Sequence, residues 1–279
     1  MSTPASPSDP RTRQGSLSTG PFSFTDEGDR QGPVVLAVPG YPGGTRDYRW
    51  LAPALDPGLR LIRIDMPAFG QTPLSTCPAT DIAGRAAYVA EILERLDLEK
   101  VMLVGHSMGG AIAGSAAALA PERVGGLALL ASIGPRPHPT VAHGKPARFV
   151  RLVTGRLTGP VLRPLLPRFF ELAGFPRRWD RPQLIHTLRC AADLDFPAWA
   201  ATLRALELPT LVAWAEDDPL IPTAISEELA AAAPRGPRFG FSDGGHNIQK
   251  FQAVELGAAI SALARDVSSG SQPTAEVPR

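Results

Sequence analysis

The sequence predicts an α/β fold: a mostly parallel central sheet flanked by helices, with a helical lid inserted between two of its strands. Three observations predict it. Short Val/Ile/Leu-rich runs recur along the chain, each bounded by Gly, Pro or charge, as strands buried on both faces require. Stretches of helical period lie between them, and strict alternation of strand and helix is the pattern of a parallel sheet. At Gly134 the alternation stops, and a Pro- and Arg-rich block intervenes before it resumes.

Taken in order, residues 1–20 are Ser, Thr, Pro and Arg with little to bury, and are expected to form a disordered tail. They contain no hydrophobic stretch of the kind a secretory signal needs, although an Arg- and Ser-rich start also has the composition of a transit peptide. The first part of the core is expected over 21–134. Its strands are a weak one at Phe22 to Thr25, then Val34 to Val38, Leu59 to Ile64, Val101 to Val104 and Leu127 to Ala131. Arg46 to Leu55, Ile82 to Leu96 and Met108 to Ala120 are long enough to be crossover helices. In Ile82 to Leu96 the residues Ala86, Val89, Ala90 and Leu93 form one apolar stripe, with Arg85, Glu91, Glu94 and Arg95 off it.

The block 135–205 reads as the lid. It carries 12 Lys plus Arg against 4 Asp plus Glu, a local net of +8, so the remainder of the chain carries −7. Leu162 to Leu172 and Leu184 to Ala192 are its expected short helices, with Pro164 and Pro167 confined to the opening turns of the first. Leu165, Leu166, Phe169, Phe170 and Trp199 are candidates either for an acyl pocket or for the lid's own core. The second part of the core, 206–265, holds a strand at Leu211 to Ala215, a helix at Thr223 to Ala233 and a weak strand at Arg238 to Phe241. Residues 266–279 are expected to be a flexible tail.

Composition narrows the function. The chain has 279 residues, 44% apolar and 20% charged, which fits one large domain and excludes wholesale disorder. A net charge of +1 argues against a dedicated nucleic-acid binder. Cys77 and Cys190 are too few for a disulfide framework and lack metal-ligand spacing. No apolar run is long enough to span a bilayer, and a soluble, cytoplasmic protein is expected. No cofactor or metal motif is present, and nothing in the sequence decides the oligomeric state.

The chemistry concentrates in Gly105-His106-Ser107-Met108-Gly109-Gly110. A strand ends at Gly105 and a helix of small residues begins after Ser107, the strand–turn–helix context that gives Gly-x-Ser-x-Gly its meaning. Such a turn strains the serine and projects its hydroxyl above the sheet edge, beside the N–H groups of the helix start. A serine needs a base, and the base needs an orienting acid. Glu216, Asp217 and Asp218 follow the strand that ends at Ala215, and of these Asp218 is preferred. Parallel strands all end on one rim, so a carboxylate there faces Ser107. His246 sits on a glycine-flanked loop before the final helix. His106 lies inside the turn and is expected to point away from the Ser107 hydroxyl, while His138, His143 and His186 fall in the lid. Val38-Pro39-Gly40-Tyr41-Pro42-Gly43-Gly44 follows the strand from Val34, and its backbone can aim N–H groups at the same rim. With the Met108 N–H, a donor from Tyr41 completes an oxyanion hole.

On these residues the chain resembles the α/β-hydrolase superfamily, in the lidded branch of small esterases, over roughly residues 22–265. Asp218 before Pro219-Leu220-Ile221-Pro222, Gly245-His246, and Arg63-Ile64-Asp65-Met66-Pro67-Ala68-Phe69-Gly70 add to the match. The resemblance implies Ser107 as nucleophile, Asp218 as acid, His246 as base, Tyr41 and Met108 as oxyanion donors, and a structural role for Asp65. Two residues depart from the family pattern. Pro39 replaces a histidine that braces the oxyanion loop, and Ala68 replaces the glycine of the Asp-x-Pro-Gly turn. Serine rather than aspartate at 107 argues against the haloalkane dehalogenase and epoxide hydrolase branches.

The expectation is therefore hydrolysis of a small carboxylic ester through an acyl-enzyme, acting on a small-molecule substrate without a cofactor. The same triad also serves thioester hydrolysis, carbon–carbon bond hydrolysis and cofactor-free peroxidation, and fold does not choose among them. A non-catalytic binding module is the rival from another class. The basic lid fits an anionic substrate, an anionic surface or simple solvation.

Overall fold

A computed structural model describes residues 10–172 and 179–270. Eight strands form one sheet: β1 (Arg13–Leu17), β2 (Gly20–Gly28), β3 (Val34–Val38), β4 (Arg60–Ile64), β5 (Val101–His106), β6 (Val124–Leu130), β7 (Thr210–Ala215) and β8 (Arg238–Phe241). Their spatial order is β1-β2-β4-β3-β5-β6-β7-β8. The pairs β1/β2 and β2/β4 are antiparallel, and every later pair is parallel. The helices are α1 (Ile82–Arg95), α2 (Met108–Leu119), α3 (Lys145–Thr154), α4 (Gly159–Leu162), α5 (Leu166–Leu172), α6 (Arg181–Ala192), α7 (Phe196–Ala205), α8 (Thr223–Ala232), α9 (Ile248–Phe251) and α10 (Ala253–Ser269).

Strand side chains alternate between the two faces of a sheet, so a strand covered on both must be apolar throughout. In β5, Val101 and Leu103 join the core beneath α1, α2 and α7, while Met102 and Val104 join the core beneath α10. β3 divides likewise, Leu36 and Val38 to one side and Val35 and Ala37 to the other. This double burial is why the central strands read so clearly from sequence.

Three expectations need correction. Residues 13–17 were expected to belong to a disordered tail, but they form edge strand β1. Ser18 and Thr19 make a two-residue turn into β2, Leu17 is buried, and the Phe22 ring lies where a side chain on Gly15 would be. The Arg95 side chain ties this edge to α1 by donating to the Ser16 carbonyl at 2.8 Å. Residues 1–9 lie outside the described residues. At the other end, Asp266 to Ser269 complete α10 rather than starting a tail, because Val267 packs against Gly125 and Gly126; residues 271–279 are outside the described residues. Arg46 to Leu55 is not a crossover helix but two short 3-10 turns, Thr45–Tyr48 and Ala52–Ala54. Pro53 has no N–H to extend an α-helix through that stretch.

Five helices, α3 to α7, occupy the segment between β6 and β7. Val153 of α3, Leu166 of α5 and Leu184 of α6 form a small core of their own. Trp199 of α7 belongs instead to the main core: its ring meets Gly114 of α2 and its Nε1 donates to the Ile133 carbonyl at 3.2 Å. Among the described residues, no helix is long and apolar enough to cross a membrane.

Candidate active site

β5 ends at His106 and α2 begins at Met108, leaving Ser107 alone to make the turn. Its backbone has φ 55° and ψ −126°, a conformation that glycine favours and a side chain resists. Glycines on either side make the turn possible. A Cβ on Gly105 would sit 2.4 Å from the Gly109 carbonyl oxygen, and one on Gly109 would sit 2.4 Å from the carbonyl oxygens of Val38 and Pro39. The loop after β3 therefore rests directly on the start of α2. Gly40 lies against Ser107 itself, where a Cβ would approach the serine Cβ to 3.0 Å. Close backbone contact shapes this loop where Pro39 stands in place of the family's histidine.

The Ser107 hydroxyl is 2.9 Å from His246 Nε2, and His246 Nδ1 is 2.8 Å from Asp218 Oδ2. Asp218 is almost wholly buried. Burial works to raise its pKa, but the His246 hydrogen bond and the Leu220 and Ile221 N–H groups outweigh it, holding the carboxyl below the ordinary carboxylate range. An ionised Asp218 can only accept, so the proton of the His246 ring resides on Nδ1. Nε2 is then left as the acceptor for the serine O–H. Asp217 does not reach the ring. Its Oδ1 accepts the Gly245 N–H at 2.7 Å, pinning the loop that carries His246.

His106 contributes in a way its position in the motif did not reveal. Its ring turns from the serine hydroxyl and donates from Nε2 to the His246 main-chain carbonyl at 2.7 Å, the rings lying 4.9 Å apart. A carbonyl can only accept, so His106 holds its proton on Nε2. Burial, reinforced by His246, lowers its pKa to about 3 and keeps it neutral. A contact spanning 140 positions, from the end of β5 to the loop that carries His246, leaves no signal in the local sequence.

Tyr41 and Met108 line the same cavity as Ser107 and His246. Neither main-chain N–H is bonded to another group among the described residues. The Tyr41 ring is buried beside Phe69, with the Arg85 guanidinium 4.2 Å over its face. Asp65 is structural, as the resemblance implied. It accepts the Thr45 N–H at 2.8 Å, the Ser23 hydroxyl at 2.6 Å and the Gln71 N–H at 3.1 Å.

The cavity above Ser107 holds about 400 Å³. Ile133, Val141, Phe149, Phe170, Leu188 and Leu194 dominate its wall, with Phe169 at the edge. Of the lid residues singled out from sequence, Phe169 and Phe170 therefore line it, Leu166 lies in the small helical core, and Leu165 is exposed. His138 also lines the cavity, its Nδ1 2.7 Å from Thr140 Oγ1, and burial lowers its pKa to about 4. Lys145 is the cation at the wall, and its ammonium donates to the Pro139 carbonyl at 2.9 Å. A second cavity of about 550 Å³ also meets Ser107 and His246 and is more polar, with Asp47, Arg49, Trp50, Asn247 and Lys250 in its wall. Among the described residues, no three His, Cys, Asp or Glu side chains gather as metal ligands.

Comparison with known proteins bears on the family and the fold. A family model described as alpha/beta hydrolase fold matches residues 33–179. The chain is 28% identical over 228 residues to the uncharacterized hydrolase YugF of Bacillus subtilis (strain 168), covering 77% of this chain and 84% of that protein. It is 26% identical over 258 residues to 2-hydroxy-6-oxononadienedioate/2-hydroxy-6-oxononatrienedioate hydrolase 2 of Pseudomonas putida, covering 86% and 89%. In fold it is similar to the crystal structure of haloalkane dehalogenase DbeA from Bradyrhizobium elkani USDA94, with a TM-score of 0.75 at 20% identity over 94% of this chain and 99% of that one.

Proposed function

The chain belongs to the alpha/beta hydrolase fold family, and from that premise we propose that it is a serine hydrolase cleaving carboxylic esters of apolar acyl groups. One observation carries the proposal: a strained serine hydroxyl, an imidazole and a buried carboxylate in unbroken hydrogen-bond contact beneath an apolar cavity. His246 Nε2 takes the Ser107 proton as the oxygen attacks the ester carbonyl. The Tyr41 and Met108 N–H groups receive the oxyanion, each donor contributing on the order of 10²–10³ in rate. His246 returns the proton to the departing alcohol, and water, activated by the same imidazole, releases the acid from the acyl-enzyme.

In this reading the acyl chain occupies the 400 Å³ cavity and the alcohol leaves through the more polar one. The helices between β6 and β7 serve as the lid. Fold likeness to a dehalogenase does not extend to its chemistry in this proposal, since residue 107 is a serine and not a carboxylate. The likeness to a 2-hydroxy-6-oxononadienedioate/2-hydroxy-6-oxononatrienedioate hydrolase favours carbon–carbon cleavage as the second reading. Against it stands an acyl cavity with one cation, Lys145, already bonded to the Pro139 carbonyl.

The test is pre-steady-state release of p-nitrophenol from acyl esters of increasing chain length. A burst equal to the enzyme concentration, abolished in Ser107→Ala, supports the proposal. A folded parent with no burst, and no labelling by a fluorophosphonate, would refute it. Turnover of a vinylogous diketone acid in preference to every ester would replace it with the second reading.

A further inference from the structure

The outer surface of the segment from α3 to α5 carries apolar and cationic side chains of which the cavity wall uses only Phe169 and Lys145. Six of the ten exposed large apolar side chains among the described residues fall within residues 152–172: Leu152, Leu157, Val161, Leu165, Phe169 and Leu172. Leu157 is 92% exposed, Leu172 77% and Val161 67%. The backbone runs helically from Gly159 to Leu172, with Leu162, Arg163 and Leu166 all in right-handed helical conformation. Residues 161, 165, 168 and 172 therefore share one face, spaced by three or four positions, and Leu157 is exposed in the turn that precedes it. Leu162, Leu166 and Phe170 occupy the opposite face, against α3 and α6. A helix apolar on both sides belongs in an interior, yet here one side is in solvent.

Charge identifies what covers it. Lys145, Arg148, Arg151, Arg156, Arg163 and Arg168 are all exposed in the same segment, against Glu171 alone. None of the six forms an ion pair with a carboxylate among the described residues. Leucines and phenylalanine interleaved with unpaired arginines match a surface whose outside is anionic and whose inside is hydrocarbon. A nucleic acid offers the charge but no apolar interior. A second copy docked by the same face would set six cations against six.

We propose that the outer face of α3–α5 is a docking surface for an anionic lipid bilayer, peripheral and without a membrane span. Leu157, Val161, Leu165 and Leu172 enter the headgroup boundary, while Arg151, Arg156 and Arg168 bind lipid phosphates. Phe149, Phe169 and Phe170 come from the same helices and line the cavity above Ser107, so docking brings the cavity wall to the bilayer.

The test is co-sedimentation of the full-length protein with vesicles of phosphatidylcholine alone and of phosphatidylcholine mixed with phosphatidylglycerol. Binding is expected only to the mixed vesicles, weakening on addition of molar salt. Arg151→Glu, Arg156→Glu and Arg168→Glu together should weaken it by on the order of 100-fold or more. Leu157→Glu, Val161→Glu and Leu165→Glu together should weaken it by about tenfold or more, with hydrolysis of a soluble ester unchanged in both variants as proof of folding. Failure to bind the mixed vesicles, equal binding to both kinds, or binding that survives loss of the leucines would overturn the proposal. So would sedimentation velocity showing a dimer in lipid-free buffer that the leucine variant dissociates.

Discussion

The floor of the site and its roof are built by opposite rules. Below, β5, β7, β8 and the loops at their ends pin Ser107, Asp218 and His246 through short hydrogen bonds and backbone contacts that a single Cβ would disrupt. Above, α3, α5 and α6 share a core of three buried residues, and the segment from α3 to α5 turns leucines and arginines without carboxylate partners to solvent. The difference teaches where each kind of residue is needed. Chemistry asks for groups fixed to within fractions of an ångström, which only a satisfied and tightly packed frame supplies. Substrate admission and docking ask for an adaptable apolar surface, which short Pro-punctuated helices provide.

The sharpest way to test that contrast is in the floor. Asp218→Asn keeps the shape but leaves the His246 tautomer unfixed, and should lower kcat by on the order of 10⁴-fold; Asp217→Asn, which only loosens the Gly245 loop, should cost far less. If the two effects were reversed in rapid-quench kinetics, the assignment of the acid would be wrong. His106→Leu, which unties the His246 carbonyl, should reduce kcat by about 10- to 100-fold with KM little changed. Equal loss in both parameters would make His106 a part of the substrate site instead. In the roof, Phe170→Ala should lower kcat/KM for long acyl esters by about tenfold and leave acetyl esters nearly untouched, as a chain-length series would show.

Acid should sharpen the comparison further. His106 in the floor, and His138 and His186 in the roof, are held neutral chiefly by burial, at about 3, about 4 and about 4. Each folded pKa lies below the ordinary 6.5, so the unfolded chain takes up protons first. Stability is whole above about pH 6.5 and is lost as pH falls toward the depressed values. The Tm should therefore drop steadily between pH 6.5 and about pH 4, and less steeply in His106→Gln. The smallest effect concerns Ala68, whose φ of 77° explains why glycine is usual in that turn. Ala68→Gly should stabilise the fold by about 1 kcal/mol, read from urea midpoints.

What was legible in the sequence follows the same division. The central strands announced themselves because both faces are buried, and the three residues of the proposed triad because Ser107, Asp218 and His246 each sit at the end of such a strand or on a glycine-marked loop. β1 did not, since an edge strand needs one buried residue, Leu17, and otherwise reads as polar tail. α3 and α7 were missed because Pro146 and Pro197 sit in their first turns, where proline is tolerated but resembles a break. His106 and Asp217 went unread as braces, because each acts on a loop distant in the chain and leaves no local pattern.

The backbone at Ser107 has one consequence outside chemistry. Glycine would adopt that geometry without the cost of about 1–3 kcal/mol that a side chain incurs, so Ser107→Gly should melt above the parent while doing nothing to an ester. A library sorted for heat resistance alone would drift toward that inert chain, and only a screen that also demands turnover would keep the serine.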